Sequence, residues 1–476
     1  MAGIGFELKK LFQKKGFFAL LRAYGYAGVI CAGPMLLGIV LLLGIHYISE
    51  GAGLDRGEQN MLTCMITYTL LSSLIITNGL GMITTRYTAD CLYEEKPQKV
   101  MPSFYGSVCI MVIAGGVLYG AFLFLSKIPP VYALLNYILF EELIIVWTQM
   151  NYLTAIKDYK GIMLAFLVSL IIGLAAGYVL TCLFHLDVIP TLLSCVCVTY
   201  AIMAVWYYIL LLEYFPEGKG RRLEFLNWLR KYPSLFFCGL FVSMGMFAHI
   251  ILMWGSDIGV RIHGLYYMAP QYDVPALAAF LSTLVTTINF VTSVEVNFYP
   301  KYRTYYSLFN DEGALTDILQ AEKEMRITLQ DELSYTTTKQ VFVTIIFIVL
   351  GTIILPLLPL GFNEEMLGIF RVLCLGYAFY AIGNSIMLMS LYFADNAGAC
   401  FCAGIFAVGS VAATLLIMRL PMRYYGFGFV AGAALFMLTA ALRLWYYQRR
   451  IRYYVLCSQP LVEEQRKGVL CKIANH

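Results

Sequence analysis

Apolar residues run through this chain in long blocks separated by short polar stretches. Twelve blocks are readable, at 22–48, 61–84, 103–125, 133–154, 161–184, 190–213, 233–254, 273–297, 338–360, 367–390, 398–417 and 426–446. Each is near the ~20 residues that carry an α-helix across ~30 Å of hydrocarbon. A bilayer offers no water to stray backbone groups, so runs of this kind must be helical. The pattern predicts an all-α polytopic membrane protein with twelve transmembrane helices.

Two further stretches are amphipathic rather than spanning. In 1–21, Ile4, Leu8, Leu11 and Phe12 share one helical face, while Lys9, Lys10, Gln13 and Lys14 share the other. That suits a helix lying in the interface; a plain basic flank that sets topology is the equal alternative. Within 298–337, Leu315, Ile318, Leu319, Met325, Leu329 and Leu333 keep helical spacing among Glu322, Lys323, Glu324, Arg326, Asp331 and Glu332. This segment either docks a cytoplasmic protein or extends the span that follows it.

Six spans return a chain to its starting side, so the second six enter the membrane in the same direction as the first. Two six-helix lobes related by a pseudo-twofold axis along the membrane normal would follow. Short echoes agree with this: Leu21-Arg22-Ala23-Tyr24 and Leu229-Arg230-Lys231-Tyr232 open spans 1 and 7, and Asp158-x-x-Gly161 and Asp395-x-x-Gly398 follow spans 4 and 10. The expected organisation is an amphipathic segment 1–21, an N-lobe 22–213, a linker 214–232, a C-lobe 233–446 and a tail 447–476.

Charge adds the orientation. Of the 33 Lys and Arg residues, the loops on one side hold all but Arg56, Lys127, Arg261, Arg419 and Arg423 opposite and Arg371 within a span. The positive-inside rule therefore predicts cytoplasmic termini in a cytoplasmic (inner) membrane protein. The net charge of +4 is mostly this topological signal, strengthened by attraction to membrane lipid, and no nucleic-acid partner is expected. A charged fraction of 13% with a mean hydropathy of +0.74 excludes a soluble domain of this size. The first apolar run is long and eleven spans follow it, so cleavage as a signal peptide is not expected.

The thirteen cysteines lie mainly within or beside spans, and no disulfide framework is implied. Cys195-x-Cys197 and Cys400-x-Cys402 place their thiols on different helix faces, so no metal is expected, and no cofactor. The chain has no G-x-x-x-x-G-K-[ST] loop, H-E-x-x-H or G-x-S-x-G motif. No catalytic residue is proposed, and the chain reads as a transporter rather than an enzyme. Gly and Pro interrupt several spans, notably at Gly25, Gly28, Gly33-Pro34, Gly115-Gly116, Gly173, Gly177, Pro275, Gly376 and Gly383. Such breaks occur where helices pack closely or bend around a pathway.

Ionisable groups inside a span are functional candidates by default. Glu141 and Glu142 lie in the outer third of span 4 and Arg371 at similar depth in span 10. They either face one another across an outer cavity or snorkel to the outer interface. Arg86 and Glu295 end spans 2 and 8 near the cytoplasm, as a gate pair or as ordinary end caps. His249 is the deepest titratable group, and proton coupling would need it; a satisfied packing histidine is the alternative. Most of the 35 tyrosines cluster at span ends, as an aromatic belt does. Tyr24, Tyr26, Tyr377 and Tyr380 sit inside spans, where a hydroxyl wants a partner and a ring can stack on a sugar.

Met1-Ala2-Gly3-Ile4-Gly5-Phe6-Glu7-Leu8-Lys9-Lys10-Leu11, followed by Leu20-Leu21-Arg22-Ala23-Tyr24-Gly25-Tyr26-Ala27-Gly28-Val29-Ile30 and Gly33-Pro34, resembles the opening of the PelG family, the membrane transporter of Pel exopolysaccharide systems. The resemblance implies the fold of the multidrug/oligosaccharidyl-lipid/polysaccharide exporter superfamily, with two lobes around a central cavity. It also implies export of a partly deacetylated, galactosamine-rich polysaccharide for a biofilm matrix. The implied partners are a cytoplasmic PelF-like glycosyltransferase and PelD-like and PelE-like membrane proteins. An ion-coupled antiporter or lipid-linked oligosaccharide flippase of the same fold, or a membrane scaffold for the synthase, are the alternatives.

Overall fold

The computed structural model of the protein describes residues 38–154, 159–216, 218, 220–310, 313–358 and 361–456. The amphipathic segment 1–21, Tyr24, Tyr26 and the tail beyond 456 lie outside the described residues. Among those described, eleven helices are long and apolar enough to cross a membrane. The first expected span is represented by a shorter apolar helix, α1 (Gly38–Gly51).

Two compact units contain these elements, one holding residues 38–247 with 253–269 and the other 248–252 with 270–456. The first unit comprises α1, α2 (Arg56–Tyr93), α3 (Val100–Ser126), α4 (Pro130–Leu153), α5 (Tyr159–Tyr178), α6 (Val188–Tyr214), the short α7 (Leu226–Lys231) and most of α8 (Pro233–Trp254). Helix α4 is its hub, packing against α2, α3 and α6, and α5 packs on α6. Most of α8 belongs here because small residues let it approach α2. A Cβ on Gly239 would lie 2.3 Å from the Asn78 carbonyl oxygen, and Asn78 Nδ2 donates to Ser243 Oγ at 2.6 Å. Close backbone approach of this kind holds helices together where lipid removes the hydrophobic drive.

After α8 the chain forms a hairpin of β1 (Val260–His263) and β2 (Tyr266–Met268), antiparallel, with Val260 opposite Met268. Its turn residue Gly264 has φ +55 and sits against the end of α3, where a Cβ would meet the Ser126 carbonyl at 1.8 Å. Only glycine combines that backbone conformation with that approach. Tyr68 of α2 fixes the hairpin: its hydroxyl donates to the Tyr267 carbonyl and accepts from the Tyr267 N–H, both at 3.0 Å. The strands are too short for an alternating pattern to stand out in the sequence.

The second unit runs through α9 (Pro270–Phe280), α10 (Leu284–Ser293), α11 (Tyr299–Asn310), α12 (Leu315–Ile354), α13 (Glu364–Tyr392), α14 (Asn396–Ile417), α15 (Phe427–Arg449) and α16 (Ile451–Leu456). A 3-10 turn at Leu281–Thr283 and a π turn at Val294–Phe298 join α9, α10 and α11 into one irregular helix. Helix α13 is the centre: 67% of its apolar window is buried, the largest share of any candidate span, and it packs against α9, α12 and α15.

At 40 residues, α12 is ~60 Å long at 1.5 Å per residue, about twice the hydrocarbon thickness. Its charged first half therefore extends beyond the apolar layer beside α11. There Lys301 and Glu324 pair at 2.8 Å. The nearly buried Glu322 takes Arg326 at 3.6 Å and Arg452 of α16 at 2.6 Å, and it holds the Arg452 guanidinium above its ordinary pKa. The Asp395-x-x-Gly398 motif is a helix cap. Asp395 accepts from the Gly398 N–H at 3.1 Å and takes a two-pronged contact from Arg443, Nε at 2.7 Å and Nη2 at 2.8 Å.

Candidate functional site

Residues Glu141 and Glu142 occupy the middle of α4, where the helix passes the Gly115-Gly116 notch of α3. Phe140 and Ile144 fill the Gly115 side, and Glu141 Oε1 and the Tyr137 hydroxyl crowd the Gly116 side, at 2.3 and 2.6 Å from where a Cβ would stand. Successive residues on a helix point about 100° apart, so Glu142 leaves the helix on another side, within electrostatic range of Cys197 of α6. Both oxygens of Glu141 and one of Glu142 are buried with no well-aligned hydrogen bond, and only the Tyr137 hydroxyl, one turn back on α4, comes within reach of Glu141. The acids thus leave α4 in different directions, each lacking a cation among the described residues.

In the second unit the polar centre is His249, a residue of α8 that packs with this unit and is wholly buried. Its Nδ1 shares a hydrogen bond with the Tyr272 hydroxyl at 2.8 Å, and Nε2 lies 3.5 Å from the Tyr377 hydroxyl. Phe429 covers the imidazole, with ring centroids 4.1 Å apart. The structure brings together two residues singled out by sequence, His249 and Tyr377, and adds Tyr272, which no periodicity would have paired with a histidine 23 positions earlier. The ring of Tyr377 packs against Phe280 and Phe429. Tyr380 lies a turn further on, between Phe406 and Phe436.

Arg371 is exposed and donates through Nε to Thr352 Oγ1 of α12 at 3.1 Å. Arg86 pairs within its own helix with Asp90 at 3.1 Å and lies 5.7 Å over the Tyr232 ring. Asp90 also accepts from Trp228 Nε1 at 2.7 Å. The Glu295 side chain lies outside the described residues.

A polar seam between α10 and α12 went unread in the sequence. Thr286 bonds Gln340, Asn289 donates to Thr336 at 3.1 Å and accepts from Lys339 Nζ at 2.8 Å, and Glu332 accepts from Ser293 and, at 2.7 Å, from Asn297. The positions Glu332, Thr336, Gln340 and Thr344 recur every four residues, so they share one face of α12. That spacing was the signal available. It lay across a boundary between a charged segment and an apolar one, and each part read as something else. No group of metal-ligating side chains occurs among the described residues.

With this geometry in place, comparison with known proteins gives a consistent result. The profile of the PelG family, described as "Putative exopolysaccharide Exporter (EPS-E)", matches residues 1–456. No curated protein matches the chain. Among solved structures, it is similar to a point mutant of a MATE transporter, with TM-score 0.61, 11% identity and coverage of 93% of this chain and 98% of that one. It is also similar to an outward-facing multidrug resistance MATE family transporter of the MOP superfamily, with TM-score 0.55, 12% identity and coverage of 94% and 99%. A MOP superfamily transporter from Pyrococcus furiosus gives TM-score 0.53 at 13% identity, with coverage of 90% and 96%. At these identities the likeness is one of fold.

Proposed function

The chain belongs to the PelG exopolysaccharide-exporter family, and from that premise we propose that it carries a Pel-like, partly deacetylated amino-sugar polymer across the cytoplasmic membrane as a cytoplasmic glycosyltransferase extends it. A multi-pass transporter fold moves its solute and does not make it. The polymer is destined for a biofilm matrix, and the synthase is PelF-like, with PelD-like and PelE-like proteins beside it in the membrane. The one-sided Lys and Arg distribution supports cytoplasmic termini. The part of α11 and α12 that outruns the hydrocarbon layer is the surface best suited to the synthase.

The observation that carries the reading is the pair of carboxylates at Glu141 and Glu142, three of whose four oxygens are buried with no well-aligned hydrogen bond and with no cation beside them among the described residues. An acid inside a span without a cation is costly to keep, and a sugar ammonium is a partner of the right charge and size. Secreted polymer measured in a Glu141→Gln/Glu142→Gln strain tests it. Loss of roughly tenfold, about 1.4 kcal/mol of barrier or binding, is expected with unchanged protein in the membrane. Unaltered secretion removes both residues from the pathway.

A second reading, an ion-coupled antiporter or flippase on the same fold, rests on His249. Its imidazole between two tyrosine hydroxyls is the buried group best able to exchange a proton. Transport that collapses with the membrane proton gradient, and survives that collapse in His249→Gln, would favour this reading over a synthesis-driven one.

A further inference from the structure

Helix α15 ends in Leu444-Trp445-Tyr446-Tyr447-Gln448-Arg449, and Arg450-Ile451-Arg452 continue into α16. Helical spacing gives the three arginines different jobs. Leu444, Tyr447, Gln448 and Ile451 are buried, and Arg452 is committed to Glu322 at 2.6 Å. Arg449 and Arg450 are exposed. The guanidinium carbon of Arg449 lies 3.9 Å over the Trp445 ring, and that of Arg450 lies 4.6 Å over the Tyr446 ring. Neither has an acidic partner among the described residues. Stacking on an aromatic face satisfies the plane of a guanidinium and orients its N–H edge outward. Two guanidinium edges on adjacent residues can match the oxygens of a phosphodiester.

The same face continues along α15. Leu442, Leu438 and Leu435 are exposed by 57%, 53% and 46%, forming a leucine stripe that leads to Trp445 and then to Arg449. Acyl chain, interfacial ring and charged headgroup would meet leucine, tryptophan and arginine in the order in which a phospholipid presents them. We propose that this face of α15 binds one anionic phospholipid, its phosphate forked by Arg449 and Arg450 and an acyl chain laid along Leu442, Leu438 and Leu435. The continuous apolar stripe selects a lipid over a soluble phosphate, and a pair of arginines with no acidic partner among the described residues selects an anionic lipid over a zwitterionic one.

Native mass spectrometry of the full chain in neutral detergent, with phosphatidylglycerol or phosphatidylcholine added, tests the site. The unaltered protein should retain phosphatidylglycerol about tenfold better than phosphatidylcholine, given that each arginine near an anionic surface contributes severalfold. R449Q/R450Q should lose most of that preference and keep its phosphatidylcholine binding. R419Q, which removes an exposed charge elsewhere, should behave as the unaltered protein. Should R449Q/R450Q fail to fold, R449K/R450K carries the test: it keeps the charge and loses the stacked fork, so its preference should fall partway. Three results overturn the proposal: full preference in the glutamine variant, or in the lysine variant where that one carries the test; an equal loss in R419Q; or displacement of the lipid by millimolar inorganic phosphate.

Discussion

Two buried polar centres, one in each compact unit, differ in how their hydrogen bonds are met. His249 has a tyrosine hydroxyl at each ring nitrogen and an aromatic lid. Glu141 and Glu142 sit in an apolar span with three carboxylate oxygens that lack a well-aligned donor among the described residues, the Tyr137 hydroxyl alone coming near Glu141. The first centre is complete without a ligand, so its removal should cost stability. The second is incomplete, so its removal should cost function and leave stability intact. In the proposed function a cationic solute supplies the partner that no described residue gives these two acids.

The largest stability effect should come from His249→Phe, which keeps the packing against Phe429 and strands two buried tyrosine hydroxyls. Each unsatisfied group costs roughly 1–3 kcal/mol, and thermal unfolding of purified protein should show a clear fall in Tm. A Tm near that of the unaltered protein would put the two centres in one class. Next in size is Glu141→Gln/Glu142→Gln, with the opposite sign. Removing two desolvated acids should leave Tm unchanged or raise it, by up to about 1 kcal/mol of stability; a large fall in Tm would mean that these acids have structural partners after all.

A smaller effect is expected for Gly116→Ala. The added methyl must push aside the ends of Glu141 and Tyr137, but alanine gains ~1 kcal/mol over glycine in a helix, so the net change in Tm should be slight. Secretion should still fall if the position of Glu141 matters, and normal secretion would show that it does not. The smallest effect belongs to Tyr377→Phe. It loses a hydroxyl contact that is already long at 3.5 Å, worth ~0.5 kcal/mol. A drop as large as that of His249→Phe would make Tyr377, rather than Tyr272, the main partner of the imidazole.

How much of this was readable from the chain depends on the range of the signal. Span positions were legible because a run of apolar residues is a local property, and α4, α6, α8, α13, α14 and α15 follow the runs. Asp395-x-x-Gly398 was visible as a repeated motif, but the ion pair that anchors its capping carboxylate needed Arg443, 48 positions away. His249 was visible as a deep histidine, while its partner Tyr272 lies across the β-hairpin. Glu141 and Glu142 were visible as acids in a span, yet adjacency in sequence says nothing of their neighbours, which lie on α3 and α6. The Asn289, Ser293 and Asn297 ladder to α12 depends on a pairing of helices that periodicity within either one does not encode.

The central claim, that Glu141 and Glu142 serve a cationic sugar polymer, is tested most directly by transport in proteoliposomes. Purified protein would be supplied with matched galactosamine oligosaccharides, partly deacetylated or fully acetylated. The unaltered protein should move the deacetylated form preferentially, and Glu141→Gln/Glu142→Gln should abolish that preference while any movement of the acetylated form persists. Equal movement of the two oligosaccharides by the unaltered protein, or an undiminished preference in the double variant, would contradict it.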